Sequence, residues 1–174
     1  MRSNKKAVFG LMLGAVWVVA SGALPAQQLV YEREYSMFES GSRVLLMTLD
    51  PDGSLRVERP AMMTHSGSHR ATVPVAHYQQ LSAALDAIQA DSRSLKEDLR
   101  ERARVELFHV SDVETSRFAR LDARRAAVTR IEIESLQPMA ERFDDDVRLR
   151  ALLDLEQHWW QLMKQVIAVD GGGQ

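Results

Sequence analysis

The segment 147–168 decides the fold, and it reads VRLRALLDLEQHWWQLMKQVIA. Large apolar side chains recur in it at alternating intervals of three and four residues, which places them on one face of an α-helix. These side chains are Leu152, Leu155, Trp159, Leu162 and Val166. Burying side chains of this size contributes roughly 1.5–3 kcal/mol each before entropy is subtracted. We therefore expect the last helix to supply much of the core.

A second amphipathic helix is predicted over 76–90, behind Pro74, a residue that favours a helix start. Its apolar stripe consists of Tyr78, Leu81, Leu85 and Ile88. Two shorter helices are predicted, one from Ser92 to about Glu101 and one from Ser135 to Phe143. We expect Ser135 to cap the latter and the aspartates 144–146 to cap the last helix.

Strands are predicted where apolar and polar residues alternate with a period of two. The predicted strands are Leu29–Phe38, Val44–Leu49, Leu55–Arg59, His69–Val73, Val105–Val110, Arg117–Leu121 and Ala127–Glu134. Arg33 is the one misfit on the apolar face of the first strand, and the turn Asp50-Pro51-Asp52-Gly53 joins the second to the third. This order predicts an α+β fold, a single two-layer sandwich whose antiparallel meander sheet is covered on one face by the two main helices.

The first 26 residues predict a signal peptide. Arg2, Lys5 and Lys6 precede a charge-free apolar run, and small residues behind it suit cleavage after Ala23 or Ala26. An inner-membrane anchor is the alternative, because residues 7–26 are uncharged over about the span of a bilayer core. The expected organisation is a signal peptide over 1–26, one globular domain over 27–168 and a flexible tail over 169–174.

The composition excludes several classes of protein. The chain has 174 residues, no cysteine, 22 basic and 24 acidic side chains and a formal charge of -2. Without cysteine there is no disulfide scaffold, thiolate metal site, cysteine nucleophile or lipid attachment. The balanced charge gives no reason to expect nucleic-acid binding. Removing residues 1–26 takes away three basic residues and no acid, which leaves a charge of -5.

Histidines are the residues that could carry chemistry in this chain. His65, His69 and His77 form a cluster in sequence that would bind a metal if the rings converged. Gly67 favours a turn there, so solvated loop histidines are the preferred interpretation, and neither a metal nor another cofactor is predicted. The alternative function is a small exported hydrolase or metal-dependent enzyme that uses His65, His69 or His109 with nearby acids. The motifs G-x-S-x-G and H-E-x-x-H are absent, so no catalytic residue is assigned.

Four side chains are candidate binding residues, namely Trp160, Arg120, Arg130 and Glu132. Trp160 points about 100° away from Trp159 on the last helix, where it either closes the core or forms an exposed aromatic anchor. The arginines of 93–130 are interleaved with acids, a pattern more typical of a solvated, salt-bridged surface than of an anion-binding patch.

These observations favour an exported bacterial protein, periplasmic or secreted, without enzymatic activity. Its expected role is to bind another macromolecule, such as an envelope protein, through its sheet or a helix edge. Contact with a membrane is expected only if residues 7–26 remain attached.

Overall fold

The computed structural model describes residues 27–35, 43–91, 95–105 and 114–171. These residues form a six-stranded antiparallel sheet and four helices, which confirms the predicted α+β fold with helices over the sheet. The predicted signal peptide over 1–26, His109 and the final residues 172–174 lie outside the described residues.

The elements follow the predicted order along the chain. They are β1 (Gln28–Tyr35), β2 (Arg43–Leu49), β3 (Ser54–Arg59), β4 (Gly67–Thr72), α1 (Val75–Asp91), α2 (Leu95–Val105), β5 (Glu114–Leu121), β6 (Ala127–Glu134), α3 (Leu136–Arg142) and α4 (Val147–Gly171). Within the sheet the strand order is β4-β3-β2-β1-β5-β6. The first four strands therefore form a meander, and the β5–β6 hairpin pairs with the other edge of β1.

Tyr31 lies at the centre of the helix-covered face of the sheet. Its ring stacks on Phe118 of β5 with centroids 5.2 Å apart and on Trp159 of α4 with centroids 6.0 Å apart. The predicted stripe of α4 is buried, as are Leu81, Leu85 and Ile88 of α1. Within the described residues, no helix is long and apolar enough to cross a membrane.

The helix α2 differs from its predicted bounds. It begins at Leu95 and runs to Val105, four residues beyond the predicted end at Glu101. Leu95 and Leu99 are buried and Ala103 packs against the same core, so the apolar stripe continues for one more turn. The strand predicted over Val105–Val110 is therefore wrong at its first residue, which is helical, and its remainder lies outside the described residues.

The caps of α3 and α4 are formed differently. Ser135 makes no side-chain capping bond and adopts a left-handed conformation with φ 52, so the prediction that it caps α3 is wrong. Its backbone N–H instead donates to the carbonyl of Glu114 at 2.7 Å. Asp146 does cap α4, because its Oδ1 accepts a 3.0 Å bond from the N–H of Arg148. The helix ends at Gly171, three residues beyond the predicted end.

The turn between β2 and β3 depends on a glycine. Gly53 has φ +86, and a Cβ at this position would lie 2.2 Å from the carbonyl oxygen of Val73. The two backbones come this close because they are hydrogen-bonded. The N–H of Val73 donates to the carbonyl of Gly53 at 2.9 Å. The turn predicted at Asp50-Pro51-Asp52-Gly53 therefore also ties the end of β4 to the start of β3.

Candidate binding face

The side of the sheet away from Tyr31 and Phe118 is the candidate site, and we call it the open face. A groove of about 420 Å³ runs over it. All of the residues that line this groove belong to strands or to the turns between them, and none belongs to a described helix. Its floor includes the short and medium side chains of Val30, Leu46 and Ala119. The open face is therefore a strand-built surface with an apolar floor.

Two parallel rows of side chains cross the strands on this face. The registers place Arg70, Arg56, Thr48, Val30, Ala119 and Arg130 side by side, and we call them the basic row. One pleat further along lie Ser68, Glu58, Leu46, Glu32, Arg117 and Glu132, which we call the acidic row. The strand register thus places arginines at the ends of one row and three glutamates around Arg117 in the other.

Ion pairs connect the acidic row with its surroundings. Arg117 donates from Nη1 to Glu34 at 2.6 Å and from Nε to Glu132 at 2.9 Å. The hydrogen bond to Glu34 raises the pKa of Arg117. Partial burial acts against it, but the guanidinium groups of Arg117 and Arg130 hold the pKa of Glu132 below its usual range. Glu34 and Glu132 are therefore both engaged by Arg117, and the lowered pKa of Glu132 favours its ionised form.

The acids that border the basic row are also engaged. Glu58 pairs with Arg56, and Glu32 accepts a 2.7 Å bond from Nε of Arg43. Asp50 accepts a 3.0 Å bond from the amide of Gln28. Each acid near the basic row thus already has a partner.

Two arginines differ from these paired residues, one at the β4 end of the basic row and one in a turn beside the row. Arg70 of β4 and Arg125 of the β5–β6 turn are exposed, and neither has an ion-pair partner among the described residues. Both line a second groove of about 530 Å³, which adjoins the first and shares Gln28, Thr48 and Arg56 with it. The open face therefore carries uncompensated positive charge at its basic row.

The four predicted binding residues are divided between the two faces. Arg130 and Glu132 lie on the open face, with 57% and 32% of their side chains exposed. Arg120 is not an exposed candidate, because its side chain is only 11% exposed and binds Asp86 and Ser82 of α1. Trp160 is half-buried on α4.

The partner of Trp160 is the misfit residue of β1. The guanidinium of Arg33 lies 5.2 Å from the ring centre of Trp160, at cation–π distance, and also forms an ion pair with Glu114. Burial acts to lower the pKa of Arg33, but the bond to Glu114 raises it overall. Arg33 is therefore a half-buried cation with a carboxylate and an aromatic ring as partners, and Trp160 packs beside it against the core.

The histidines do not form the metal cluster considered above. His69 contacts the carbonyl of His65 through Nε2 at 3.1 Å, whereas His77 lies on α1 and pairs with His158 of α4. Within the part of the chain that the structure describes, no three His, Cys, Asp or Glu side chains are grouped to hold a metal ion. His109, one of the three histidines named for the alternative enzyme, lies outside the described residues.

The pair of His77 and His158 has the geometry of a hydrogen bond. Nδ1 of His77 and Nε2 of His158 are 2.9 Å apart, and the ring centres are 5.2 Å apart. The ring centres are farther apart than the two nitrogens by about twice the distance from an imidazole centre to its nitrogen. Both nitrogens therefore lie near the line that joins the ring centres. One ring therefore donates an N–H to the ring nitrogen of the other, and the tautomer decides which ring is the donor.

A buried polar cluster joins the sheet to α4. Glu156 is 4% exposed, and its Oε1 accepts bonds from the hydroxyls of Tyr31 at 2.6 Å and Ser116 at 2.5 Å. Burial raises the pKa of Tyr31, and the charge of Glu156 raises it further. The hydroxyl groups therefore act as donors to a buried carboxylate, and the cluster positions α4 on the sheet.

Another cavity of about 270 Å³ lies between α2 and β6. Its walls include Leu95 and Leu99 of α2 and Ile131 and Ile133 of β6, all of which are buried. These side chains belong to the hydrophobic core. The cavity therefore lies at the β6 edge of the sheet, where Arg130 and Glu132 of the open face also line it.

The sequence places Arg125 only among the arginines of 93–130, for which a salt-bridged surface was preferred, and Arg70 was not predicted, although one signal was available. Arg56, Arg70 and Arg130 occupy outward positions of their strands, so correct strand registers would have aligned them. The necessary register depends on β1 pairing with both β2 and β5, which a single sequence does not show. The turn residue Arg125 adopts φ 60 and carries no sequence signal of its own.

Comparison with known proteins found no relative of this chain. No protein-family model, curated protein or solved structure matches the chain.

Proposed function

We propose that this protein is an exported binding domain and that the open face of its sheet is the surface that contacts the partner. The observation that carries the proposal is the groove of about 420 Å³ on the open face, which has an apolar floor and charged walls. Apolar floors with a few placed polar groups are typical of binding sites. The helices and the polar cluster at Glu156 serve to hold the sheet in shape.

Export is the second part of the proposal. It is supported by the basic residues Arg2, Lys5 and Lys6, by the apolar run behind them and by the small residues near Ala23 and Ala26. We favour a periplasmic or secreted location for the cleaved protein. An inner-membrane protein anchored by residues 7–26 is the alternative.

Site-specific photo-crosslinking in the producing cells tests the binding face. A photoreactive amino acid is introduced at Leu46 on the open face, with a matched position at Gln157, which is exposed on α4. We expect a defined partner, identified by mass spectrometry, to crosslink at Leu46 and not at Gln157. The purified partner should then bind the purified protein, and Ala119→Arg should weaken that binding. Equal crosslinking at both positions, or none at Leu46, contradicts the proposed face.

N-terminal sequencing of the native protein tests export separately. A mature chain that begins at Leu24 or Gln27 is expected, depending on which of the two sites is cut. A native N-terminus at Met1 contradicts the cleaved-export proposal. Fractionation of the cells then shows whether the intact chain is held at the inner membrane.

A further inference from the structure

The basic row has its charges at its two ends. Arg56 and Arg70 lie at one end, Arg130 lies at the other, and Arg125 adjoins the same grooves. Between the arginines the row contains Thr48, Val30 and Ala119, which carry no charge. A ligand that fits this row has anionic groups toward both ends and uncharged or apolar groups between them.

The positive charge of the row is a local property. The whole chain has a formal charge of -2, so a basic surface is not what its composition imposes. Glu58 and Asp50, the acids that line the grooves nearest the unpaired arginines, are engaged by Arg56 and Gln28 respectively. Arg70 and Arg125 therefore have unsatisfied capacity for carboxylates, which arginine binds through two parallel hydrogen bonds.

The distance between the charged ends sets the size of the ligand. The row crosses all six strands, and with about 4.8 Å between neighbouring strands it spans about 24 Å from β4 to β6. An extended peptide advances about 3.4 Å per residue, so about seven residues cover the row. A single phosphate or carboxylate would engage one end only.

We propose that the basic row binds an extended, acidic peptide segment of a partner protein, about seven residues long, with carboxylates at both ends and apolar side chains between them. This inference rests on the proposed binding function of the open face and adds the chemistry of the partner. The carboxylates at one end pair with Arg70 on β4 and those at the other end with Arg130 on β6, and the central side chains cover Val30 and Ala119. Arg125, which lines both grooves, adds positive charge beside the row.

The acidic row restricts where such a peptide lies. Glu58, Glu32 and Glu132 run parallel to the basic row at the distance of one pleat. These glutamates already occupy arginine partners, so a carboxylate-rich segment gains more beside the unpaired Arg70 than over this row. The two rows together therefore select an anionic segment and align it across the strands.

Fluorescence anisotropy with a defined probe tests the inference. The probe is a fluorescein-labelled heptapeptide with two aspartates at each end and three apolar residues in the middle, added to the full-length purified chain. We expect saturable binding that weakens at least about tenfold when the salt concentration rises from about 0.05 to about 0.5 M. The same peptide with asparagine in place of each aspartate should not bind.

Two charge-reversal variants provide the matched comparison. Arg70→Glu with Arg125→Glu removes the unpaired arginines, whereas Arg150→Glu with Lys164→Glu makes the same change of net charge at exposed positions of α4. We expect the first variant to lose at least about tenfold in affinity and the second to stay within about twofold. Circular dichroism establishes that both variants remain folded.

The outcomes separate this inference from the proposed function. Equal loss of affinity in both variants overturns the inference, because the peptide then responds to net charge alone. Stronger binding of phosphatidylglycerol vesicles than of the peptide, lost in the same Arg70 and Arg125 variant, also overturns it in favour of a lipid surface. If the peptide does not bind while Leu46 still crosslinks to a partner, the acidic-peptide inference fails and the binding face remains.

Discussion

The hydroxyl of Tyr31, in the first strand, donates a 2.6 Å hydrogen bond to the carboxylate of Glu156, in the last helix. Glu156 also accepts a bond from Ser116 of β5. A carboxylate that is 4% exposed loses most of its contact with water. The hydroxyls of Tyr31 and Ser116 supply hydrogen bonds in place of that water. The relationship fixes α4 over the centre of the sheet and thereby fixes which face stays open.

The Tyr31→Phe variant measures the strength of this connection. We expect it to lower the free energy of unfolding by about 1.5–3 kcal/mol, because a hydrogen bond to a buried charged group is lost. Tyr78→Phe is the matched control. Its hydroxyl donates to the carbonyl of Gln27, a neutral acceptor, so the expected loss is about 0.5–1.5 kcal/mol. Urea unfolding measures the free energy of unfolding of both variants. Equal losses would show that the bond to Glu156 is no stronger than the bond to a neutral carbonyl.

The Trp159→Ala variant tests the packing of α4. Trp159 is 2% exposed and stacks on Tyr31, so its removal should cost about 3–5 kcal/mol. The adjacent Trp160 is half-buried, and Trp160→Ala should cost clearly less. Calorimetry of the two variants compares neighbouring residues of one helix. An unchanged melting temperature in Trp159→Ala would rule out the described packing.

A pair of glycine variants tests the close approach at the β2–β3 turn. Gly53 and Gly67 both have positive φ, but a Cβ at Gly53 meets Val73 whereas a Cβ at Gly67 meets nothing within 4 Å. We expect Gly67→Ala to cost about 1–3 kcal/mol from backbone strain alone. Gly53→Ala should cost more, because the carbonyl of Val73 must also move. Denaturant unfolding decides the order, and a smaller cost at Gly53 would contradict it.

The pair of His77 and His158 should make stability depend on pH. Burial lowers the pKa of His158 below 6.5, and the neighbouring His77 lowers it further. The unfolded chain therefore binds a proton at a higher pH than the folded chain does, so the stabilisation is complete above 6.5 and is lost as the pH falls through the lowered pKa.

Thermal unfolding between about pH 7.5 and about pH 5.5 measures this effect. We expect His158→Gln to lose less of its melting temperature across this interval than the unmodified protein. His65→Gln, which changes an exposed histidine, should retain the dependence of the unmodified protein. If both variants behave alike, the pair does not contribute.

Local sequence patterns predicted most of the helices and strands. They did not predict contacts between residues that are far apart in the chain. The alternation of 127–134 gave β6 with its observed bounds, because a half-buried strand has a period of two. Arg33 stood out as a misfit in sequence, and its explanation is a half-buried pairing with Glu114 and Trp160. His77 gave no sign of its partner, since the packing of α1 on α4 sets that contact.

The candidate site was only half visible for the same reason. Arg130 and Glu132 were chosen because they alternate on the wet face of a strand, and both lie on the open face. Arg120 pairs across the hairpin with Thr129, the neighbour of Arg130, so its side chain lies on the opposite face of the sheet. There it contacts α1 through Ser82. The direction of each arginine depends on strand register, because Arg120 pairs with Thr129 whereas Arg130 pairs with Ala119.

The central place of β1 also determines when the molecule becomes complete. Its Gln28–Tyr35 segment pairs with β2 on one side, but the other side stays without a neighbour until residues 114–121 have been synthesised. Pairing across so long a stretch of chain is slow, because the intervening loop must close first. The first strand of the chain therefore gains its second neighbour only after about two thirds of the sequence has been made, and the sheet cannot close strand by strand as the chain emerges.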